Sequence, residues 1–165
     1  KNVPLDQVIW VPALVPPHKT LEGDVSPHDR TCMVELAIRK NPSFRLSRVE
    51  LERATPSYTI DTIRRLQNEF GNQNVEWFLL IGSDTAGELS HWRQIEELRR
   101  LVHFVAVPRP GGTTQKLPAD VKEIPVATLN VSSSDIRQRV RQGRSIEGLV
   151  PEAVGRYIQE HRLYR

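Results

Sequence analysis

The sequence predicts an α/β fold built around a doubly wound parallel sheet. Two continuous apolar runs, residues 77–81 and 103–107, are typical of strands that are covered on both faces. Stretches with apolar residues at helical spacing alternate with these and other predicted strands. Because parallel strands need crossover connections, usually helical and right-handed, we expect helices to pack on both faces of the sheet.

Composition limits the class of protein. The chain has 165 residues, of which 38% are hydrophobic and 26% charged, and these values favour one globular domain spanning residues 1–165. No apolar run is long enough for a membrane span, so no membrane partner is expected. The only cysteine, Cys32, excludes an internal disulfide and fits a reducing cytoplasm. The net charge of +3 means that any basic surface must come from local clustering.

The first half of the chain predicts two strands and two helices. Their residues are a buried strand over 7–11, a helix over 28–39, a half-buried strand over 44–51 and a helix that is capped by Thr59 and closed by Gly71. The loop after the first strand contains Pro16-Pro17-His18-Lys19, in which the prolines hold the next two residues extended. That stretch is either a solvated linker or a contact for a phosphate or carboxylate.

In the second half, the strand over 77–81 ends at Gly82-Ser83-Asp84. A glycine and a carboxylate at the carboxyl end of a buried parallel strand occupy the edge where α/β sheets bind ligands. A turn with a helix N-cap explains the same residues equally well. The following elements are a helix over 88–101 that breaks near Trp92, the strand over 103–107, a turn over 108–112, a polar surface loop over 113–119 and a short edge strand over 124–126.

A run of three serines begins the next predicted helix. One serine can cap the helix, and Asp135 in the first turn complements the helix dipole. The spare hydroxyl groups, with Arg137 one turn further on, form a pattern suited to binding phosphate at a helix N-terminus. An ordinary capped surface helix is the competing interpretation. A final helix is predicted to begin at Pro151 and to continue to His161.

Five separate stretches together resemble one family. They are, in chain order, Pro16-Pro17-His18-Lys19, Thr55-Pro56-Ser57-Tyr58-Thr59, Gly82-Ser83-Asp84 with Trp92 following, Pro108-Arg109-Pro110-Gly111, and Val131-Ser132-Ser133-Ser134-Asp135-Ile136-Arg137. The last is similar to the Ile-Ser-Ser-Thr-x-x-Arg motif of the nucleotidyltransferase superfamily. The whole set, in this order, resembles the bacterial nicotinate mononucleotide adenylyltransferases. The resemblance spans essentially the whole chain and implies a Rossmann-like fold.

The resemblance also implies a reaction and its site. AMP would pass from ATP to nicotinate mononucleotide, giving nicotinate adenine dinucleotide and pyrophosphate in NAD biosynthesis, with Mg²⁺ held mainly by phosphate and water rather than by protein ligands. The residues that match ATP-binding positions are Gly82, Asp84, Ser132, Ser133, Ser134 and Arg137, and Arg137 would also act in catalysis by stabilising phosphate charge. The residues that match positions near the nicotinate nucleotide are Lys19, Tyr58, Thr59, Trp92 and Arg109.

One family motif has no counterpart here. Gly-x-Phe-x-Pro-x-His-x-Gly-His lies in the family between the first strand and the first helix, and its histidines contact the ATP phosphates. None of the five histidines of this chain stands in that setting. We therefore expect an N-terminally incomplete nucleotidyltransferase domain that lacks its first strand and helix, and whose turnover as it stands is impaired.

Two other classes of function remain open at this stage. A related adenylyltransferase acting on nicotinamide mononucleotide or pantetheine phosphate would share the serine motif. A non-catalytic module that binds nucleotides or nucleic acid is suggested by four clustered arginines, Arg137, Arg139, Arg141 and Arg144. No aromatic residues are interleaved with them for base stacking, so we expect no nucleic-acid partner. The sequence leaves open whether the chain forms a homo-oligomer.

Overall fold

The computed structural model describes residues 3, 5–14, 25–52, 57–71, 74–108, 117–126 and 131–165. Every strand pair within them is parallel, and helices lie between most consecutive strands, which confirms the predicted α/β class. Among these residues no helix has the length and apolar character needed to cross a bilayer. Contacts between residues divide the chain into two compact units. The first comprises residues 1–3 and 58–130, and the second comprises residues 4–57 and 131–165.

The described residues form five strands and six α-helices. The strands are β1 (Val8–Trp10), β2 (Phe44–Leu46), β3 (Phe78–Gly82), β4 (His103–Val107) and β5 (Val121–Glu123). The helices are α1 (Pro27–Ile38), α2 (Thr59–Phe70), α3 (Ser83–Ala86), α4 (Ile95–Leu101), α5 (Ser133–Arg141) and α6 (Glu152–Glu160), and a short 3-10 helix spans Leu89–His91.

The first unit is a three-stranded sheet in the order β3-β4-β5. Gly82 at the end of β3 lies opposite Val107 at the end of β4, so the carboxyl ends of both strands meet at one edge. Helix α2 buries the stripe Ile60, Ile63 and Leu66 because these apolar residues recur at helical spacing. Ile60 and Ile63 pack in a common core with buried residues of β3 and β4 and of the helical segment between them.

Helices α2 and α4 of the first unit are also joined by polar contacts. The guanidinium of Arg64 donates to both carboxylate oxygens of Glu97, each at 2.6 Å from Nη2. This pairing raises the pKa of Arg64, which keeps the guanidinium charged. Gln67 Nε2 donates to the carbonyl of Leu101 at 3.3 Å. This hydrogen bond satisfies one of the carbonyl groups at the end of α4 that have no partner within the helix.

The second unit contains the two-stranded sheet β1-β2 and the helices α1, α5 and α6. Its core is a group of buried apolar residues from the helices and the segments next to them. These residues are Val25, Ile136, Ile146, Val154, Ile158 and Leu163. Helices α1 and α6 pack against each other. Ser26 begins α1 as its N-cap, since its Oγ accepts from the N–H of Asp29 at 3.0 Å.

Burial differs from the prediction in two strands. Trp10 at the end of β1 is 41% exposed and Leu80 in β3 is 46% exposed, so the expectation of fully covered strands is wrong at these positions. In β4, by contrast, Phe104, Val105 and Ala106 are all buried as predicted. An apolar run raises the tendency to form a strand, but packing of other elements decides which faces are covered.

Several element boundaries also differ. The edge strand β5 lies at Val121–Glu123 rather than at 124–126, although the N–H of Ile124 still donates to Ala106 at 3.1 Å. Strand β2 ends at Leu46 instead of continuing to residue 51. Tyr58, rather than Thr59, is the N-cap of α2, and its side chain makes no capping hydrogen bond. Shifts of this size are ordinary because helix and strand ends depend on a few terminal hydrogen bonds.

Candidate functional site

In the second unit, the predicted serine run forms the N-terminus of α5. Ser132 is the N-cap with an extended backbone, and its Oγ accepts from the N–H of Asp135 at 3.1 Å. Ile136 is buried in the core and so fixes one face of the helix. Ser132, Ser133 and Ser134 are all exposed. The local sequence therefore combines a firmly anchored helix with a hydroxyl-rich, accessible N-terminus.

Arg137 lies close to this N-terminus. Its Nη2 donates to Ser134 Oγ at 3.1 Å, and it has no carboxylate partner among the described residues. Arg139, in contrast, donates from Nε to Asp135 Oδ2 at 2.9 Å, so its charge is paired within the helix. Of these two arginines, Arg137 is the one whose charge can balance that of an external anion.

The arrangement is chemically suited to binding an anion. The first N–H groups of a helix have no intrahelical acceptor, and Ser132 satisfies only that of Asp135. The N–H groups of Ser133 and Ser134 remain for an external acceptor, and the helix dipole favours negative charge there. With the Arg137 guanidinium, which always stays charged, the site offers both directional donors and positive charge.

The sequence reasoning missed Arg30, which lies on α1 in the same unit. Its Nη2 donates to the carbonyl of Leu14 at 2.7 Å, and its Nε is buried without a hydrogen-bond acceptor in the described part of the chain. Burial raises the pKa of the Tyr164 phenol, and the charges of Arg137 and Arg30 oppose that rise. Both guanidinium groups are thus close enough to influence one phenol. No local motif singled out Arg30, because its position depends on how α1 packs.

In the first unit, Gly82 and Asp84 lie where the sequence predicted them, at the carboxyl end of a parallel strand. Gly82 is both the last residue of β3 and the N-cap of the short helix α3. Asp84 is exposed in the first turn of that helix. Because Gly82 lies opposite Val107 in the sheet, the segment that follows β4 begins at this same edge.

Tyr58, Thr59 and Trp92 belong to the same unit. Tyr58 and Trp92 are half-buried and pack against one core, and Thr59 is the first residue of α2. Arg93, which the sequence reasoning also missed, holds its guanidinium 4.4 Å from the centre of the Tyr58 ring. This cation–π contact places a positive charge over the Tyr58 ring. It could not be inferred from spacing, since the two residues are far apart along the chain.

The predicted site residues therefore fall into two described groups. Ser132–Ser134 and Arg137 lie in the second unit, whereas Tyr58, Thr59, Gly82, Asp84 and Trp92 lie in the first. Lys19 and Arg109 lie outside the described residues, as do Thr55, Pro56 and most of the predicted loop after β4. Among the residues that the structure describes, no group of three or more His, Cys, Asp or Glu side chains could hold a metal ion.

Comparison with known proteins identifies relatives of this chain. The family model described as cytidylyltransferase-like matches residues 1–139. A protein of Synechococcus sp. (strain JA-3-3Ab) named probable nicotinate-nucleotide adenylyltransferase is 43% identical over 97% of this chain and 81% of its own length. A protein of the same name from Geobacillus kaustophilus (strain HTA426) is 44% identical over 97% of this chain and 73% of its own length.

Solved structures show the same fold. The nicotinic acid mononucleotide adenylyltransferase of Plasmodium falciparum, complexed with NaAD, superimposes with a TM-score of 0.73 at 20% identity, over 96% of this chain and 82% of that one. The same Plasmodium enzyme complexed with APC gives a TM-score of 0.68 at 18% identity, over 96% of this chain and 82% of that one. At these identities the similarity concerns the fold. The family match and the close relatives establish that this chain belongs to the cytidylyltransferase-like family, among its nicotinate-nucleotide adenylyltransferases.

Proposed function

We propose that this chain transfers AMP from ATP to nicotinate mononucleotide, producing nicotinate adenine dinucleotide and pyrophosphate. The observation that carries the proposal is the N-terminus of α5, where exposed serines and Arg137 surround helix N–H groups that lack acceptors. The names of relatives that are 43–44% identical over nearly the whole chain support the same reaction.

In this reaction an oxygen of the nicotinate mononucleotide phosphate forms a bond to the α-phosphorus of ATP. The bond from that phosphorus to the bridging oxygen breaks, and pyrophosphate carries the electron pair away. Such a transfer needs mainly positioning and stabilisation of negative charge. We assign the β- and γ-phosphates to the N–H and hydroxyl groups of Ser132, Ser133 and Ser134 and to Arg137, whose charge acts on the leaving pyrophosphate. Gly82 and Asp84 are assigned to the adenosine part of ATP.

We assign the acceptor to the group that contains Tyr58, Thr59 and Trp92. An indole face is suited to stacking on a pyridine ring, and the packing of Trp92 against the core limits its motion. The positive charge of Arg93 over Tyr58 adds a group that favours a carboxylate-bearing ring over its uncharged amide. Lys19 and Arg109 complete the proposed set by their match to the family motifs.

The described residues do not offer a protein cage for a divalent ion. We therefore propose that Mg²⁺ enters as the Mg²⁺ complex of ATP, with phosphate and water as its ligands. The only cysteine, Cys32, is a free thiol, and we include the reducing cytoplasm as the compartment of the reaction.

The nucleic-acid alternative is the weaker hypothesis. Among the four clustered arginines, Arg139 is ion-paired with Asp135 within α5, and no aromatic residue lies between residues 137 and 144 to stack on a base. The choice of acceptor can be tested by comparing the turnover rate with nicotinate mononucleotide to the rates with nicotinamide mononucleotide and with pantetheine phosphate.

The absence of Gly-x-Phe-x-Pro-x-His-x-Gly-His from these 165 residues bears on the rate. We propose that the chain as it stands binds ATP but releases pyrophosphate slowly, because the histidines that contact the phosphates in the family have no counterpart. Binding and turnover must therefore be measured separately.

The first test is calorimetric titration of the chain with Mg²⁺–ATP. Arg137→Gln should weaken binding by about tenfold or more, because it removes charge-assisted hydrogen bonds to phosphate. Arg141→Gln is the matched control, since it makes the same charge change one turn further along α5 and should alter binding by less than about twofold. Equal binding by wild type and Arg137→Gln would remove the serine helix from the proposed site.

A further inference from the structure

A wide groove lies in the second unit, away from the serine run. It is formed by the C-terminal end of α5, the turn over residues 142–150 and one face of α6, and its volume is about 1150 Å³. Ser132, Ser133, Ser134 and Arg137 are not among its lining residues. The groove is therefore a surface feature that the proposed reaction does not use.

The charge of the groove is predominantly positive. Three of its arginines, Arg141, Arg144 and Arg165, are exposed, and their guanidinium groups have no hydrogen-bond or ion-pair partner in the part of the chain that the structure describes. Arg156 also lines the groove but donates to Glu152 at 2.7 Å, so these two charges offset each other. Glu147 is the remaining acidic residue, and the unpaired arginines outnumber it.

The helix dipole explains only part of this cluster. Arg141 lies in the last turn of α5, where a cation is favoured by the partial negative charge of the helix end. Arg144 lies in the turn and Arg165 follows α6, beyond the last turn of either helix. A positive charge at these two positions is therefore not explained by the helix dipole. Their guanidinium groups are available to an external anion.

The turn leaves room for a ligand close to the backbone. Gly143 and Gly148 have φ values of +65° and +73°, a left-handed conformation that favours glycine. A Cβ added at either position would meet no heavy atom of the described chain within 4 Å. The base of the groove is apolar and well packed, because the lining residues Ile146 and Ile158 are only 7% and 3% exposed.

These features limit the class of occupant. The volume exceeds the range of about 300–1000 Å³ that is common for small-molecule sites. No aromatic side chain lines the groove, so a nucleobase would have no stacking partner. Carboxylates, in contrast, can accept two hydrogen bonds from one guanidinium, and an extended chain can approach the glycine backbone.

We propose that this groove docks an extended segment of a partner protein that is rich in aspartate and glutamate. The acidic side chains pair with Arg141, Arg144 and Arg165, and small aliphatic side chains between them contact the half-buried Val140 and Val150. This inference does not depend on the proposed reaction, since it uses other residues and a different ligand.

The test uses a short fluorescent peptide in which glutamate alternates with valine, and fluorescence anisotropy against the full chain. The double variant Arg141→Gln, Arg144→Gln should weaken binding by about tenfold or more. The matched double variant Arg39→Gln, Arg100→Gln removes the same charge from exposed residues outside the groove and should weaken binding by less than about threefold. Thermal unfolding of both variants verifies that they are folded.

Backbone amide NMR of the chain then locates the peptide. Shifts confined to residues 140–150 and to α6 support the proposal. Equal losses in the two double variants, or shifts spread over the surface, would overturn it in favour of non-specific attraction. Inorganic tripolyphosphate serves as the competing probe. Tighter binding of tripolyphosphate than of the peptide, with the same shifted amides, would reassign the groove to a phosphorylated small molecule.

Discussion

Tyr157 on α6 donates a hydrogen bond of 2.9 Å to the carboxylate of Asp29 on α1, which joins residues 128 positions apart. The other carboxylate oxygen of Asp29 accepts from the hydroxyl of Ser26 at 2.6 Å. Asp29 therefore links the cap of α1 to the packing of α1 against α6. Because α6 supplies two residues of the core that also anchors α5, this contact supports the unit that carries the serine run.

Tyr157→Phe removes this hydrogen bond but keeps the ring. We expect the free energy of unfolding to fall by about 1–2 kcal/mol, because the acceptor is a charged carboxylate. Urea denaturation measures the change. The control is Tyr164→Phe, since the Tyr164 hydroxyl has no hydrogen bond in the described part of the chain and its loss should cost less than about 0.5 kcal/mol. Equal losses would mean that the Tyr157 bond contributes no stability.

The dependence of stability on acidic pH should reveal the contribution of the Asp29 carboxylate to the free energy of unfolding. Hydrogen bonds from Ser26 and then from Tyr157 lower the pKa of the Asp29 carboxyl in the folded protein. A lowered pKa means that the carboxyl group binds a proton more readily in the unfolded chain than in the folded protein. The contribution of Asp29 to stability is therefore complete above the unfolded pKa of about 4, and it is lost as the pH falls through the pKa of the folded state.

We therefore expect wild type to exceed Asp29→Asn in free energy of unfolding at pH 7, and the difference to shrink below about pH 4. Chemical denaturation at a series of pH values checks this, with Asp6→Asn as the control at an exposed aspartate. A difference that stays constant down to pH 2 would show that the carboxylate charge makes no contribution.

Trp92 allows a test of the acceptor assignment. Trp92→Leu keeps an apolar side chain against the core but removes the aromatic face, so we expect the affinity for nicotinate mononucleotide to fall by about three- to tenfold. Trp92→Phe keeps an aromatic face and should retain most of that affinity. Calorimetric titration measures both, and Mg²⁺–ATP binding, assigned to other residues, should be unchanged. Equal affinities for the Leu and Phe variants would contradict stacking on Trp92.

Much of the local structure follows from sequence alone. The serine cap and Asp135 predicted the start of α5, and helical spacing predicted the buried stripe of α2 from Ile60 to Leu66. These features depend on residues within one turn of each other, where backbone hydrogen bonding and side-chain periodicity act directly. The order of short motifs was also enough to predict the family.

Other features were decided only by tertiary packing. The contact of Tyr157 with Asp29 and the position of Arg93 over Tyr58 join residues that are distant along the chain. The exposure of Leu80 within an apolar strand likewise depends on which elements cover the sheet. The sequence determined the elements and the chemistry that they carry, because those depend on local interactions. The tertiary structure decided which charges are paired, since pairing depends on how separate elements pack.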